Sequence, residues 1–390
     1  MTSPKQFRIP QEPFLSREFL SYRNLQRPLP HTGKSRRRYF TFWARNALYH
    51  CLQVAALSPG DEVLVPAYVC KVVPEAVESY GAKVLFYRVG KDCRPDFADM
   101  EAKTTARTRA LIAVHYFGFA QPISFQVDFC RRHKLFLIED CAHVLQSEVE
   151  GQPLGSFGDA SVFSLRKFFP VYDGGLLLLN QADANLQLDW SRESPLFTLR
   201  VANDILNQIA ARSPGSLLSV ALRLVQSLKK PLLAIVTSPV NTSTMRTEKT
   251  DATFNPRVVN HPMSRLSRLI YKHFNASAIV NKRRANYLFL QGELRGVERI
   301  QFLVPELPTG ICPWVFPLFL ESGVEGCTAL RVMGIPAVTW NGVRPLDFES
   351  ASFPDAEFLY KNLVFLPVHQ DLSAEDLRQI VQTVLRVLQK

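Results

Sequence analysis

The chain has 390 residues, of which 47% are hydrophobic and 21% charged, and its formal net charge is +11 at pH 7. This length exceeds the size of one small core, so we expect two domains of ordinary globular composition. No apolar run is long enough to cross a bilayer, and the first residues lack the apolar core of a signal peptide. We therefore expect a cytoplasmic protein without a membrane span.

The cysteines and the basic charge narrow the class of protein further. The seven cysteines form no CxxC pair and no zinc spacing, which predicts a reducing compartment and no metal site. The densest basic cluster lies between Lys34 and Arg38, and it could attract polyanions or simply form a solvated surface. Because no nucleic-acid-binding motif accompanies it, we expect no nucleic-acid partner.

Residues 1–39 are rich in proline and arginine and predict an irregular N-terminal arm. Phe14, Leu15, Phe19 and Leu20 could anchor this arm on the body or on a partner subunit, and partial disorder is the alternative.

Residues 40–58 indicate a loop that enters a helix, because their apolar residues follow helical spacing. A helix that begins near Arg45 and Asn46 would offer free backbone N–H groups to a phosphate.

Strands and helices then alternate as far as Asn180. The predicted strands are 62–66, 83–89, 109–116, 135–140, 160–165 and 176–179, and the predicted helices are 71–80, 97–103 and 123–133. Such alternation predicts an α/β fold with a mostly parallel sheet covered on both faces.

The pattern weakens after residue 180. Residues 217–228 have helical apolar spacing, which suits a helix packed on the body or, alternatively, one lying on a membrane surface. Residues 237–256 are polar and predict a loop. We treat 181–250 as a variable insert of a large domain that spans residues 40–250.

The last part of the chain, residues 251–390, predicts a smaller α+β domain. Its predicted helices are 263–295, 325–333 and 374–388, and its predicted strands are 315–321 and 337–340. Ser373, followed three residues later by Asp376, predicts the cap of the last helix.

The residues that point to chemistry lie between 135 and 180. Asp140 ends an apolar strand, and Lys167 follows another. Ligands of open α/β sheets gather at the carboxyl ends of strands. A lysine near cationic or apolar groups can form a Schiff base, and a carboxylate can keep a pyridine nitrogen protonated. This pair is the minimum for pyridoxal 5'-phosphate chemistry; the alternative is a loop-capping aspartate and a solvated lysine.

Motifs in a characteristic order support the cofactor interpretation. They are RNALYHCL, GDEVLVPAY, GAKVLFYRV, TRALIAVHYFG, LFLIEDCAHVLQ, GSFGDASVFS, the lysine and DGG segment, NHPMSRLS, KRRAN, MGIPA and NLVFLPVHQDLSAEDL. From Phe40 onwards the chain resembles the DegT/DnrJ/StrS family of pyridoxal-phosphate-dependent sugar aminotransferases. The resemblance implies an aspartate-aminotransferase-like fold of type I. It also implies transfer of an amino group from glutamate or glutamine to a nucleotide-linked keto-sugar, in polysaccharide, glycan or secondary-metabolite biosynthesis.

The resemblance also implies roles for the central residues. Lys167 matches the lysine that holds the cofactor as a Schiff base and moves the proton. Asp140 matches the acid that pairs with the pyridine nitrogen. His143 lies where the family places glutamine or histidine against the cofactor ring or its hydroxyl.

Four further residues match cofactor-binding positions of the family. Ser164 matches a serine that binds the cofactor phosphate, and Arg45 and Asn46 fall on the turn whose backbone cradles the same phosphate. Asn260 matches an asparagine given to the neighbouring subunit's site. The resemblance therefore implies a homodimer with shared active sites.

The chain departs from the family's pattern at two places. Ser164 and Lys167 are three positions apart, where the family usually has five. The family's ring-stacking aromatic falls on Cys70, so either Tyr68 covers the cofactor ring or no aromatic residue does. These departures favour, as an alternative, a non-catalytic or regulatory relative that binds the same cofactor. Lys167 argues against the family's dehydrating members, which have histidine there.

Overall fold

A computed structural model describes residues 9–20, 37–181, 186–212, 253–346 and 348–389. Its strands are Arg37–Thr41 (β1), Glu62–Pro66 (β2), Lys83–Tyr87 (β3), Thr108–Val114 (β4), Phe136–Cys141 (β5), Glu148–Val149 (β6), Gln152–Pro153 (β7), Ala160–Ser164 (β8), Gly175–Leu179 (β9), Ile300–Phe302 (β10), Val315–Leu320 (β11) and Leu363–Pro367 (β12). Its α-helices are Ala44–Val54 (α1), Val72–Tyr80 (α2), Phe97–Lys103 (α3), Ile123–His133 (α4), Pro195–Arg212 (α5), Arg265–Lys272 (α6), Ala276–Leu294 (α7), Gly323–Val332 (α8), Pro354–Asn362 (α9) and Ala374–Leu388 (α10).

A seven-stranded sheet in the order β1-β9-β8-β5-β4-β2-β3 forms the centre of the molecule. Strands β3, β2, β4, β5 and β8 pair in parallel, whereas β9 runs antiparallel between β8 and β1. The middle strands are buried along nearly their whole length, as expected when helices cover both faces. The predicted α/β fold with a mostly parallel sheet is confirmed.

A second, antiparallel sheet in the order β10-β11-β12 lies in the C-terminal part of the chain. Buried residues of both sheets, such as Val63 and Phe365, belong to one hydrophobic cluster. The predicted cap of α10 is present, because Ser373 and Asp376 exchange the two hydrogen bonds of a capping box. The domain boundaries at residues 40 and 250 stay a prediction.

Two predicted elements are wrong. The helix over 263–295 is two helices, because Asn275 accepts a hydrogen bond from the backbone N–H of Ala278 and caps a new helix, α7. Residues 337–340 form no strand; Val338 makes only an isolated bridge to Phe365. The preceding Pro336 has no N–H to donate to a strand ladder.

The described part of the N-terminal arm packs on the body. Phe19 is buried, Leu20 forms a bridge with Phe274, and the backbone N–H of Phe14 donates to Asp371. The predicted helix 217–228 and most of the predicted loop 237–256 lie outside the described residues. Among the helices that the structure describes, none has the length and apolar character to cross a bilayer.

Candidate active site

Asp140 lies near the carboxyl end of β5, and its strand neighbours in β4 and β8 fix its position. The side chain is only 8% exposed, and Oδ1 accepts a hydrogen bond of 2.9 Å from the backbone N–H of Ala142. No described residue donates to Oδ2. Burial raises the pKa of this carboxyl, whereas the Ala142 N–H, Lys167 and His115 lower it. One carboxylate oxygen is therefore held in place and the other is available to a ligand.

Glu139, on the opposite face of β5, holds the loop that precedes β8. Its Oε1 accepts from the backbone N–H groups of Phe157 and Gly158, both at 2.7 Å. Its Oε2 accepts from the N–H of Gly155 at 2.8 Å and from Nε2 of His115 at 3.0 Å. These four donors saturate the carboxylate. Hydrogen bonding therefore explains why Glu139 and His115, two residue types that can also bind metal ions, are buried together.

His143 is buried close to Asp140 and is neutral. The backbone N–H of Phe117 donates to its Nδ1 at 3.2 Å, which places the ring proton on Nε2. Burial, and then the charge of Lys167, lower the pKa of the imidazole well below its usual range. His143 can therefore donate from Nε2 to an oxygen atom of a ligand.

Phe117 has a left-handed backbone conformation, with φ of 59°. For a bulky residue this costs on the order of 1–3 kcal/mol and persists only where the surroundings impose it. Here its N–H donates to His143, and its carbonyl accepts from the N–H of Trp314 at 2.8 Å. The strained backbone of Phe117 thus connects His143 and Trp314, whose rings belong to the site.

Lys167 ends a short 3₁₀ turn, Leu165–Lys167, that follows β8 directly. The turn is closed by backbone hydrogen bonds from Phe168 and Phe169 to the carbonyl of Leu165, at 3.1 and 2.9 Å. The turn is therefore compact, and the amine of Lys167 lies close enough to Asp140 for this carboxyl to influence its pKa.

The amine of Lys167 is poised to lose its proton. The side chain is partly buried, and no described residue accepts a hydrogen bond from Nζ. Burial lowers the pKa of Lys167 to about 8, against the opposing effects of Asp140 and Cys70, while Arg45 and Arg166 lower it further. A substantial fraction of the amine is therefore neutral and nucleophilic near neutral pH.

Trp314 is the aromatic residue that lies against this lysine. Nζ of Lys167 is 4.4 Å from the centroid of the indole, which is within cation–π range. The indole stacks on His143 with ring centroids 4.2 Å apart and an interplanar angle of 7°. Sequence reasoning missed Trp314, and the only available signal was the missing aromatic residue at Cys70.

The N-terminus of α1 lies close to the same groups, since Arg45 influences the pKa values of both Lys167 and Cys70. The helix begins at Ala44, one residue before the predicted start, and Trp43 provides no side-chain cap. The backbone N–H of Ala44 has no acceptor among the described residues. Such a helix end can bind a phosphate.

The side chains of Arg45 and Asn46 contact the segment that follows residue 252. Nη1 of Arg45 donates to the carbonyl of Thr253 at 2.7 Å. Nδ2 of Asn46 donates to the carbonyls of Val258 and Val259 at 2.6 and 3.3 Å. These side chains order the neighbouring segment, so the contribution of both residues to an anion site would come from their backbone.

The remaining predicted site residues are placed less directly. Ser164 ends β8 beside the lysine turn, and no described residue forms a hydrogen bond with its Oγ. Asn260 is partly buried and accepts from the N–H of Ser191 at 3.0 Å through its carbonyl. Their predicted roles at the phosphate and in a neighbouring subunit's site stay predictions.

Tyr68 is fully buried among other rings. Its ring centroid lies 4.9 Å from that of Trp340 and 4.8 Å from that of Tyr360, and its hydroxyl has no hydrogen-bond partner among the described residues. Since Trp314 is the ring in contact with Lys167, the predicted contact of Tyr68 with a cofactor stays a prediction.

Comparison with known proteins shows that part of this chain is similar to a known family. Residues 44–188 match the model of the DegT/DnrJ/EryC1/StrS aminotransferase family. UDP-N-acetyl-3-dehydro-alpha-D-glucosamine 3-aminotransferase of Acidithiobacillus ferrooxidans is 36% identical over 149 residues, 36% of this chain and 39% of that protein. GDP-perosamine synthase of Vibrio cholerae is 33% identical over 137 residues, covering 34% and 37%. The chain thus matches less than two fifths of the length of either relative.

Solved structures match over more of the chain. A candidate sugar aminotransferase of Streptococcus pneumoniae, in its PMP form, has a TM-score of 0.66 at 18% identity and covers 95% of this chain and 92% of its own. The aminotransferase TlmJ of Streptoalloteichus hindustanus has a TM-score of 0.62 at 20% identity, covering 90% and 86%. At such identities the likeness establishes the fold, which is the predicted aspartate-aminotransferase-like fold of type I. The sequence match over residues 44–188 shows that this part of the chain is similar to the DegT/DnrJ/EryC1/StrS aminotransferase family.

Proposed function

We propose that this protein is a pyridoxal-phosphate-dependent aminotransferase that moves an amino group from glutamate or glutamine to a nucleotide-linked keto-sugar. One observation carries the proposal: an amine without a hydrogen-bond acceptor and with a lowered pKa, Lys167, lies in the same site as Asp140, a carboxylate with one unused oxygen. The two relatives described above, a UDP-sugar aminotransferase and GDP-perosamine synthase, support the substrate class.

The polar groups of the site fit pyridoxal phosphate one by one. Lys167 offers an amine to the aldehyde, and Oδ2 of Asp140 offers an acceptor to the pyridine N–H. Nε2 of His143 offers a donor to the ring hydroxyl oxygen, and the first turn of α1 offers N–H groups to the phosphate. We assign Ser164 to the phosphate as well. Two structures of the same fold are described as PLP and PMP forms, which supports this choice of cofactor.

When bound, pyridoxal phosphate supplies an aldehyde that condenses with amines and a ring that draws electrons from the α-carbon of the donor. Lys167 is placed to do the acid–base work. Its Nζ would accept the proton of the donor's α-carbon and would later return a proton. A pKa of about 8 suits both halves of this task, because the amine can exist in either form near neutral pH.

Asp140 and His143 control charge around that proton transfer. The buried carboxylate of Asp140 would favour a protonated ring nitrogen and would oppose the loss of that proton. Neutral His143 donates a hydrogen bond without adding a second positive charge beside Lys167. Trp314 shields Lys167 from water on one side.

The assembly and the location form part of the same proposal. We propose a homodimer in which Asn260 reaches the neighbouring subunit's site, acting in the cytoplasm in the biosynthesis of a polysaccharide, glycan or secondary metabolite. All seven cysteines are free thiols, and six of them are buried, which suits a reducing compartment.

A regulatory relative that binds the cofactor without turnover is the second candidate. A pleiotropic regulatory protein of Geobacillus stearothermophilus is 31% identical to this chain over 142 residues, which are 37% of that protein. Cys70 at the position of the usual ring-stacking residue also favours this candidate.

Visible absorbance of the purified protein with added pyridoxal phosphate distinguishes the two functions. We expect a yellow band that bleaches with L-glutamate or L-glutamine, persists with D-glutamate, and returns when a nucleotide-linked keto-sugar is added. A band that no amino donor bleaches would favour the regulatory candidate. The absence of any band would contradict both candidates.

A further inference from the structure

The turn that carries Lys167 depends on side chains from a distant part of the chain. Within the turn, backbone hydrogen bonds end on the carbonyl of Leu165, which leaves the carbonyls of Lys167 and Phe168 without backbone donors from the turn. Both carbonyls accept instead from side chains of α7 and the segment after β12. Because hydrogen-bond geometry in a 3₁₀ turn is poorer than in an α-helix, these two contacts add support to the backbone that carries Lys167.

Arg283, on α7, makes the central contact. It is 0% exposed, and its guanidinium donates from Nη2 to the carbonyl of Lys167, from Nη1 to the carbonyl of Trp314 and from Nε to Oε1 of Gln370, each at 3.0 Å. Its Cζ lies 4.7 Å from the centroid of the Phe168 ring. The planar fork of arginine therefore joins the two backbones whose side chains form the amine–indole pair.

Gln370 completes the arrangement. Its Oε1 accepts from Arg283, and its Nε2 donates to the carbonyl of Phe168 at 2.8 Å. The side chain is 1% exposed, so both hydrogen bonds are sheltered from water. Two consecutive carbonyls of the lysine turn are thus bound by two side chains that also bind each other.

We propose that Arg283, supported by Gln370, is the positioning residue of Lys167: by holding the carbonyls of Lys167 and Trp314 at once, it keeps the amine buried against the indole. The inference rests on the proposed role of Lys167 as the cofactor-binding amine. In this inference, α7 holds Lys167 in position, a function that the two residues missing before Lys167 would otherwise serve in the turn.

Position, rather than charge, is the means by which Arg283 acts. Burial is the largest influence on the pKa of the amine, and the titratable groups that also influence it are Asp140, Cys70, Arg45 and Arg166. Neighbouring His143 is neutral. An Arg283→Lys variant keeps the positive charge and loses the fork, so it loosens the turn without removing a charge.

Competitive acetylation of the cofactor-free protein tests the inference. Acetic anhydride reacts with neutral amines, and the labelling of Lys167 is followed against pH by peptide mass spectrometry. We expect a midpoint near pH 8 in the unaltered chain and a shift towards the ordinary lysine value in R283K. Each unit of upward shift lowers the labelling of Lys167 at pH 7 by about tenfold.

Arg284→Lys is the matched control. Arg284 is the next residue of α7, and it donates to the carbonyls of Pro308 and Ile311 without contacting Lys167 or Trp314. We expect R284K to keep the acetylation profile of the unaltered chain. A profile of R283K that coincides with that of R284K, even with a lower melting temperature, would mean that Arg283 only stabilises the fold and would overturn the inference.

Gln370→Met provides a second test in case R283K does not fold. Methionine fills a similar volume but cannot bridge Arg283 and the carbonyl of Phe168. We expect a smaller shift of the Lys167 midpoint in the same direction, and an unchanged midpoint would overturn the inference. Because acetylation uses no cofactor, a shifted midpoint in a protein that glutamate does not bleach would support the positioning role and contradict the proposed function.

Discussion

Asp140 and Lys167 belong to the same site, but the chain holds them in different ways. Asp140 lies within a parallel sheet, where pairing with both neighbouring strands sets its position. Lys167 lies in a short turn whose carbonyls are bound by Arg283 and Gln370, residues more than 100 positions away in the sequence. The position of the acid thus depends on local strand register, whereas the position of the lysine depends on tertiary contacts.

The difference extends to the groups around each residue. Beside Asp140, Glu139 binds three backbone N–H groups of one nearby loop. Beside Lys167, the rings of Trp314 and Phe168 come from separate parts of the chain. Substitutions at or beside Asp140 should therefore change the chemistry or the local stability. Substitutions around Lys167 should also change the position of its amine. Substitutions and a pH profile can test this contrast.

Replacing Lys167 by alanine should remove the amine and leave the fold intact. We expect no visible cofactor band and no measurable transamination, a loss of at least about 10³-fold, because covalent attachment and proton transfer both require the amine. Circular dichroism should show an unchanged fold. Lys361 is exposed, and Lys361→Ala is the control, which we expect to keep its activity. Full activity in the Lys167 variant would refute the assignment.

Asp140→Asn should lower turnover by about 10²–10⁴-fold, since a neutral amide does not favour a protonated pyridine nitrogen. The amide retains the size of the side chain and one carbonyl oxygen for the Ala142 N–H. We therefore expect weaker cofactor binding with little change in melting temperature. Steady-state kinetics at saturating cofactor give the measurement, and unchanged turnover would show that another acid faces the ring.

The rate of cofactor attachment should depend on pH through Lys167. Because burial lowers the pKa of this amine to about 8, its neutral fraction rises with pH and levels off above that value. Between pH 6 and pH 8 we expect the rate to increase about fifty-fold. Stopped-flow absorbance provides the measurement. A rate that keeps rising towards pH 10 would mean that the lysine titrates like an exposed one.

Glu139→Gln should destabilise the protein more than it impairs chemistry. The new amide group would present N–H donors to backbone N–H donors, at a cost of about 1–3 kcal/mol for each group left unsatisfied. We expect a melting temperature several degrees lower. Glu293→Gln, at an exposed position of α7, is the control that should melt as the unaltered chain does; equal melting of both variants would contradict the structural role of Glu139.

Cys70→Ser should have the smallest effect, within about twofold on turnover. Burial raises the pKa of the Cys70 thiol, despite the nearby Lys167 and Arg45, so the thiol is neutral near pH 7. Serine is also neutral and of similar size. Kinetics with glutamate as the donor measure the effect, and a large loss would assign Cys70 a chemical role that its protonation state does not suggest.

The strands of the central sheet, including the one that carries Asp140, could be predicted closely from the sequence. Strand β2 has the predicted bounds, Glu62–Pro66, and Asp140 lies at its predicted strand end. Apolar runs and flanking turn residues are local signals, and parallel strands bring their carboxyl ends to one edge. The capping box at Ser373 was likewise predictable, because its two partners are three residues apart.

The surroundings of the lysine could not be predicted in the same way. Arg283 belonged to a basic run within a helix, and nothing local indicated that it is fully buried against Lys167. Trp314 has no neighbour in the sequence that would place it on His143. The break of the long predicted helix at Asn275 also depends partly on the arm, since the N–H of Asn275 donates to the carbonyl of Phe19. Such contacts arise from tertiary packing, which periodicity does not report.

The most direct test of the account is to locate the cofactor on the chain. The protein is incubated with pyridoxal phosphate, reduced with borohydride and analysed by peptide mass spectrometry. We expect a single pyridoxyl adduct on Lys167, which is lost when glutamate is added before reduction. An adduct on other lysines with Lys167 unmodified, or no adduct at all, would contradict the central claim that Lys167 and Asp140 form a pyridoxal-phosphate site.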